Sequence, residues 1–160
     1  MLSKTSVSAM RALTFLGLKA ARDPISPRVI AAHLGESPTY LAKILRHLVK
    51  AGILKSHRGI AGGVTLNRRP EEISLLRIVE ACQGEILADF CDGGLVPTQT
   101  CAFHQAAEEL HSAIVGVLSR WTLAHLLQNP HPAETLSKSA HCWLDVCERV
   151  EGSCGYDAHN

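Results

Sequence analysis

Ser26-Pro27-Arg28-Val29-Ile30-Ala31-Ala32-His33-Leu34-Gly35-Glu36-Ser37-Pro38-Thr39-Tyr40-Leu41-Ala42-Lys43-Ile44-Leu45-Arg46-His47-Leu48 reads as two short helices joined by a tight turn. Ser-Pro occurs twice in it. Each pair offers a capping hydroxyl followed by a residue whose missing N–H would have no partner at the first helical position. Leu34-Gly35 stops the first helix, because glycine accepts the left-handed backbone of a helix end. Val29, Ile30 and Leu34 line one side of it, and Leu41, Ile44, Leu45 and Leu48 mark the buried side of the second, which Gly52 closes. The tight Leu34-Gly35-Glu36-Ser37 link makes the pair a helix-turn-helix. The outward face of its second helix offers Thr39, Tyr40, Lys43, Arg46, His47 and Lys50, and helices of this kind touch base edges near their N-terminal end.

Upstream, residues 5–21 predict a helix with Val7, Met10, Leu13 and Leu16 on one stripe, ended by Asp23-Pro24. Downstream, Ile53-Leu54-Lys55-Ser56-His57-Arg58 and Val64-Thr65-Leu66-Asn67 read as two strands around Gly59-Ile60-Ala61-Gly62-Gly63, a glycine-rich wing. A helix is expected over 74–82 through Leu75, Ile78 and Val79, followed by a loop over 84–100. Phe103, Ala107, Leu110, Ile114, Val117 and Trp121 then recur at alternating steps of four and three, the seam of a coiled coil. This predicts one long helix over 103–128 that dimerises, with packing on the chain's own first helix as the alternative. Asn129-Pro130-His131-Pro132 breaks it. The expected fold class is therefore mainly α: a winged helix-turn-helix domain (1–82) with a two-stranded β wing, a ligand-bearing loop (83–102), a long C-terminal dimerisation helix (103–128), and a polar tail (129–160), mobile at its end.

Charge is divided along the chain. Residues 1–70 hold 12 Lys/Arg against 2 Asp/Glu, and 71–160 hold 4 against 13, so a net charge of +1 conceals halves of +10 and −9. Such asymmetry is the footprint of a nucleic-acid module joined to a non-binding one. Arg11, Lys19 and Arg22 interrupt the N-terminal apolar residues, which argues against a signal peptide, and no apolar run is long enough for a bilayer. A soluble, cytoplasmic protein with no membrane partner is expected. In that compartment six cysteines point to metal ligands, redox thiols or buried small side chains rather than a disulfide framework. Cys91-x9-Cys101-x2-His104 stands out, with Cys101 and His104 one helical turn apart and able to reach one metal. Cys82, at the end of an apolar helix, reads as a small buried hydrophobe. Cys142-x4-Cys147-x6-Cys154 lacks the tight spacing of a zinc knuckle, and could supply a redox disulfide or an extra ligand.

Taken together the chain resembles the winged-helix iron–sulfur transcription regulators of the IscR and NsrR types. The resemblance is carried by Ser8-Ala9-Met10-Arg11-Ala12-Leu13, Tyr40-Leu41-Ala42-Lys43-Ile44-Leu45, Arg58-Gly59-Ile60-Ala61-Gly62-Gly63-Val64, Glu72-Ile73-Ser74-Leu75 and Thr122-Leu123-Ala124-His125-Leu126, spanning about residues 2–128. It implies a homodimer on a palindromic operator in double-stranded DNA, with the recognition helix in the major groove and Arg58 of the wing at the minor groove, where a narrow groove concentrates negative potential. Thr39 and Tyr40 are the base-edge candidates, and Lys43, Arg46 and Lys50 the phosphate contacts. It also implies an iron–sulfur cluster on Cys91, Cys101 and His104. The family loop usually carries three cysteines. Here the middle one is missing, so mixed ligation of a [2Fe–2S] centre is expected. Some relatives take a fourth ligand from a carboxylate in the partner's first helix, but this chain has no acid before Asp23. His33 is a candidate substitute, against its reading as a surface histidine.

Three other functions are weighed against this sensor of redox, iron or nitric oxide status. One is a DNA-binding thiol switch in which Cys91 and Cys101 form a disulfide without any cluster. Another is a protein-interaction module docked through the acidic half. The last is an enzyme built on Cys101 and His104, which lacks an orienting third group and an oxyanion-hole motif. No catalytic residue is expected.

Overall fold

The computed structural model of the chain describes residues 2–19, 23–59, 62–86 and 101–130. Its first helix, α1 (Lys4–Lys19), runs through the centre of the domain, with Ala9, Met10, Leu13, Phe15 and Leu16 buried. Ser3 and Ser6 cap it reciprocally, each backbone N–H donating to the other's hydroxyl at 3.1 and 3.2 Å. The Ser6 hydroxyl also donates to Gln83 Oε1 at 3.1 Å, which pins the start of α1 to the end of a helix 77 residues away in sequence.

The helix-turn-helix forms with one of its two expected serine caps engaged. In α2 (Pro27–Leu34) the Ser26 hydroxyl accepts from the Val29 N–H, Pro27 occupies the first turn, and Gly35 adopts φ 66°. In α3 (Pro38–Lys50) Leu41, Ile44, Leu45 and Leu48 are buried, and Ser37 stands at the N-cap, but its side chain makes no capping hydrogen bond. Gly52 at φ 69° ends the helix, its N–H donating to the Val49 carbonyl at 3.0 Å.

The wing is β1 (Leu54–His57) paired antiparallel with β2 (Gly63–Leu66), in the register Leu54↔Leu66 to His57↔Gly63. A third segment joins at its root: Ile25 and Val64 exchange backbone hydrogen bonds at 3.1 and 2.9 Å. Gly63 is needed there, because a Cβ at that position would lie 2.4 Å from the Ile25 carbonyl oxygen. The wing is thus sewn to Ile25, two residues before α2, which fixes it relative to the helix-turn-helix.

A 3-10 turn (Pro70–Glu72) leads to α4 (Leu75–Gln83), capped by Ser74, and then α5 (Ala102–Arg120) and α6 (Leu123–Gln128). The single long helix expected over 103–128 is two helices. Trp121 leaves the helix at ψ 135°, and residues 121–123 pair with 73–75: the Leu75 N–H donates to Trp121 O and the Leu123 N–H to Ile73 O, both at 2.8 Å. Two extended hydrogen bonds replace helical ones, and the turned chain buries Leu123 completely. Leu127 then rests on Gly17 of α1, where a Cβ would sit 2.7 Å from its side chain.

The seam of α5 does not fold back on α1. Its helix has no buried residue, and Phe103, Leu110, Val117 and Trp121 are 70, 59, 46 and 46 % exposed. No described helix is long and apolar enough to cross a membrane.

Candidate nucleic-acid interface and ligand-bearing helix

On α3, Thr39, Lys43, Arg46 and Lys50 are all exposed and recur at steps of four, three and four, forming one stripe opposite the buried leucines. Tyr40 stands apart from them. It is half-buried against the core, and its hydroxyl donates to Thr5 Oγ1 at 3.3 Å. That side chain ties α3 to α1, which its reading as a base-edge residue did not foresee.

In the wing, Arg58 is exposed at the end of β1, next to Gly59 at φ 108°. His57 beside it is held across the sheet by a 2.9 Å hydrogen bond with Thr65 Oγ1. Ile60 and Ala61 lie outside the described residues. Arg28 in the first turn of α2 and Lys55 in β1 are exposed cations that the sequence reading did not single out. Arg69 is engaged instead by Glu72, Nη2 to Oε1 at 2.9 Å, and that contact holds the Glu72 carboxyl below its ordinary range.

Cys101 and His104 open α5. Cys101 is the N-cap, exposed and a free thiol, and its side chain caps nothing. His104 stands three residues on and is half-buried. N-cap and third-residue side chains are the pair that meet in a capping box, so thiol and imidazole can reach a common atom. Soft thiolate plus imidazole suits iron, and the described residues therefore fit half of a four-ligand set. Cys91 lies outside the described residues, as do Cys142, Cys147 and Cys154, and among the described residues no three His, Cys, Asp or Glu side chains converge. His111 Nε2 and the Ile86 carbonyl are 2.7 Å apart, which ties the segment after α4 to the middle of α5.

His33 does not stand clear of the surface as a ready ligand would. Its ring lies on Phe15 with centroids 4.3 Å apart, half-buried against α1. Cys82 behaves as a small core-edge side chain. It packs on the hydrophobic cluster, and burial pushes its thiol up to about 11.

A helix-turn-helix with a basic recognition stripe, sewn to a two-stranded wing, defines a winged-helix DNA-binding regulator. Residues 2–129 match the Rrf2 family, described as an iron-dependent transcriptional regulator, and the chain belongs to that family. It is 31 % identical over 134 residues to the HTH-type transcriptional regulator NsrR of Geobacillus kaustophilus, covering 81 % of this chain and 91 % of the relative. Among solved structures it is similar to T. potens IscR, with a TM-score of 0.66 and 27 % identity over 84 % of this chain and 90 % of the other. It is equally similar to the oxidized form of Staphylococcus aureus CymR, with a TM-score of 0.66 and 26 % identity over 82 and 99 % of the two chains. The family and these relatives are regulators of transcription, not enzymes.

Proposed function

We propose that the protein is a homodimeric sensor that binds a palindromic operator and reports redox, iron or nitric oxide status through an iron–sulfur cluster on Cys91, Cys101 and His104. The observation that carries this reading is the exposed Cys101 thiol one turn from His104, at the start of a helix whose apolar seam is also exposed. A coiled-coil seam left open to water is stabilised by a second copy of itself. Two copies present two helix-turn-helix units to the half-sites of a palindrome. Thr39 then faces base edges, Lys43, Arg46 and Lys50 face phosphates, and Arg58 faces the minor groove. The family's iron-dependent description supports the cluster, and a thiolate–imidazole set supports a [2Fe–2S] centre.

A cofactor shifts a regulator only if it contacts two arrangements differently. Cys101 and His104 sit on α5, and the far end of α5 is bonded to the segment leading into α4. A cluster on the loop therefore acts on the framework behind the reading heads. The test is iron and sulfide analysis with visible absorption on anaerobically purified protein, beside Cys101→Ser and His104→Ala. Wild-type protein that is colourless and cannot be reconstituted removes the cluster.

A second reading keeps the DNA binding and drops the iron. Cys101 is a free, exposed thiol, and the likeness to an oxidized CymR supports a Cys91–Cys101 disulfide switch. Colourless protein whose operator affinity changes with a thiol oxidant, and is restored by reductant, selects this reading. Affinity for duplex DNA that does not fall with salt would instead select a protein-docking module.

A further inference from the structure

Three polar residues of α1, Thr5, Ser8 and Arg11, recur at steps of three and share one face of the helix. All three are committed to the helix-turn-helix. The Tyr40 hydroxyl donates to Thr5 Oγ1 at 3.3 Å, and the Ser8 hydroxyl donates to Glu36 Oε1 at 2.6 Å. Arg11 Nη1 reaches the same Glu36 oxygen at 3.3 Å, and its Nη2 donates to the Leu34 carbonyl at 3.2 Å. The stripe thus grips the last residue of α2, the turn, and the first turn of α3 in sequence.

This clasp is half-buried. Ser8 is 3 % exposed, and the Arg11 and Glu36 side chains are 24 and 12 % exposed. Apolar residues of matching volume in place of a buried ion pair commonly hold a fold as well or better, so cohesion alone does not call for one. Glu36 Oε2 moreover is buried with no hydrogen-bond partner among the described residues, which is a standing cost. Directional bonds, unlike apolar contacts, fix register and angle. Glu36 and Asp23 are also the only two acids in residues 1–70, and folding Glu36 into the clasp keeps its charge away from the basic stripe of α3.

We propose that Ser8, Arg11 and Glu36, with Thr5, are specificity-determining positioning residues for DNA recognition. They touch no base. They set the angle at which α3 meets the groove, and so govern discrimination between sequences rather than charge-driven affinity. This rests on α3 being the reading helix.

The test compares wild type with the volume-matched triple variant Ser8→Ala, Arg11→Met, Glu36→Leu. Wild-type protein first selects a preferred duplex from a pool of random 30-base-pair duplexes, and affinity is then measured for that duplex and for a scrambled one of equal composition across a salt series. The variant is expected to keep its thermal midpoint, its affinity for the scrambled duplex and its salt slope. Its preference for the selected duplex should fall about tenfold, the loss of a charged hydrogen bond's worth of discrimination. Unchanged preference in a stably folded variant overturns the proposal. If the triple variant does not fold, the near-isosteric Glu36→Gln takes its place: reduced preference at an unaltered salt slope supports the clasp, and full preference refutes it. Wild-type protein with no preference for any duplex removes the reading helix itself, and the proposal with it.

Discussion

Cys82 and Cys101 show how one residue type takes opposite roles from its surroundings. Desolvation raises the Cys82 thiol from 9.0 to about 11, so the folded chain holds that proton more tightly than the unfolded chain. Its contribution to stability is whole below pH 9 and is lost as pH climbs through about 11. The urea midpoint of the wild type should fall across that window more steeply than that of Cys82→Ala. At neutral pH, with cluster-free reduced protein, iodoacetamide should label exposed Cys101 well before Cys82, as mass spectrometry would read. Arg58→Ala should weaken binding to the preferred duplex by about 1–3 kcal/mol while leaving scrambled DNA nearly untouched, measured by fluorescence anisotropy. Residue chemistry of this local kind was legible in advance: Ser26-Pro27, Gly35 and Gly52 act through their own caps and backbone angles, and they fall where the sequence puts them. Glu36 was not legible. Its partners Ser8 and Arg11 lie 28 and 25 positions away, and only the packed fold brings them to it.

Elements show the same division. The buried stripe of α3 and the wing follow from periodicity within a dozen residues, since a helix or hairpin needs little outside itself to choose its apolar face. The end of α5 is different. The apolar repeat runs on through Trp121, yet the helix stops, because backbone groups of residues 73–75 offer extended partners there. Thr122 gave the one local hint, being a residue suited to an N-cap, and its N–H donates to His125 Nδ1 at 3.0 Å. Of the expected ligands, spacing could pair Cys101 with His104 because both belong to one turn, but not say what His33 leans on. The energetic weight of the break sits in Leu123, which is wholly buried. Leu123→Ala should destabilise the domain by about 2–5 kcal/mol in chemical denaturation, far more than Ala at exposed Val117.

At the scale of the whole molecule, the open seam of α5 and the divided charge lead to a prediction about assembly. Replacing Leu110 and Val117 together by Glu places like charges opposite one another in any self-association across the seam. Sedimentation should then show the monomer, with the thermal midpoint little changed, because neither side chain is buried in the subunit. Loss of the dimer should also erase preference for palindromic duplexes over single half-sites.

Leu127 on Gly17 has a bearing on how the domain is completed. The core of the DNA-reading half takes its last pieces, Leu123 and Leu127, from the far end of the described chain. The Ser26 cap of α2 needs only residues near it in sequence, whereas the cover over α1 at Gly17 needs α6. A chain ending near residue 120 lacks both side chains, so its thermal midpoint should fall well below that of the full chain, and an equal midpoint would show that α6 does not complete the domain.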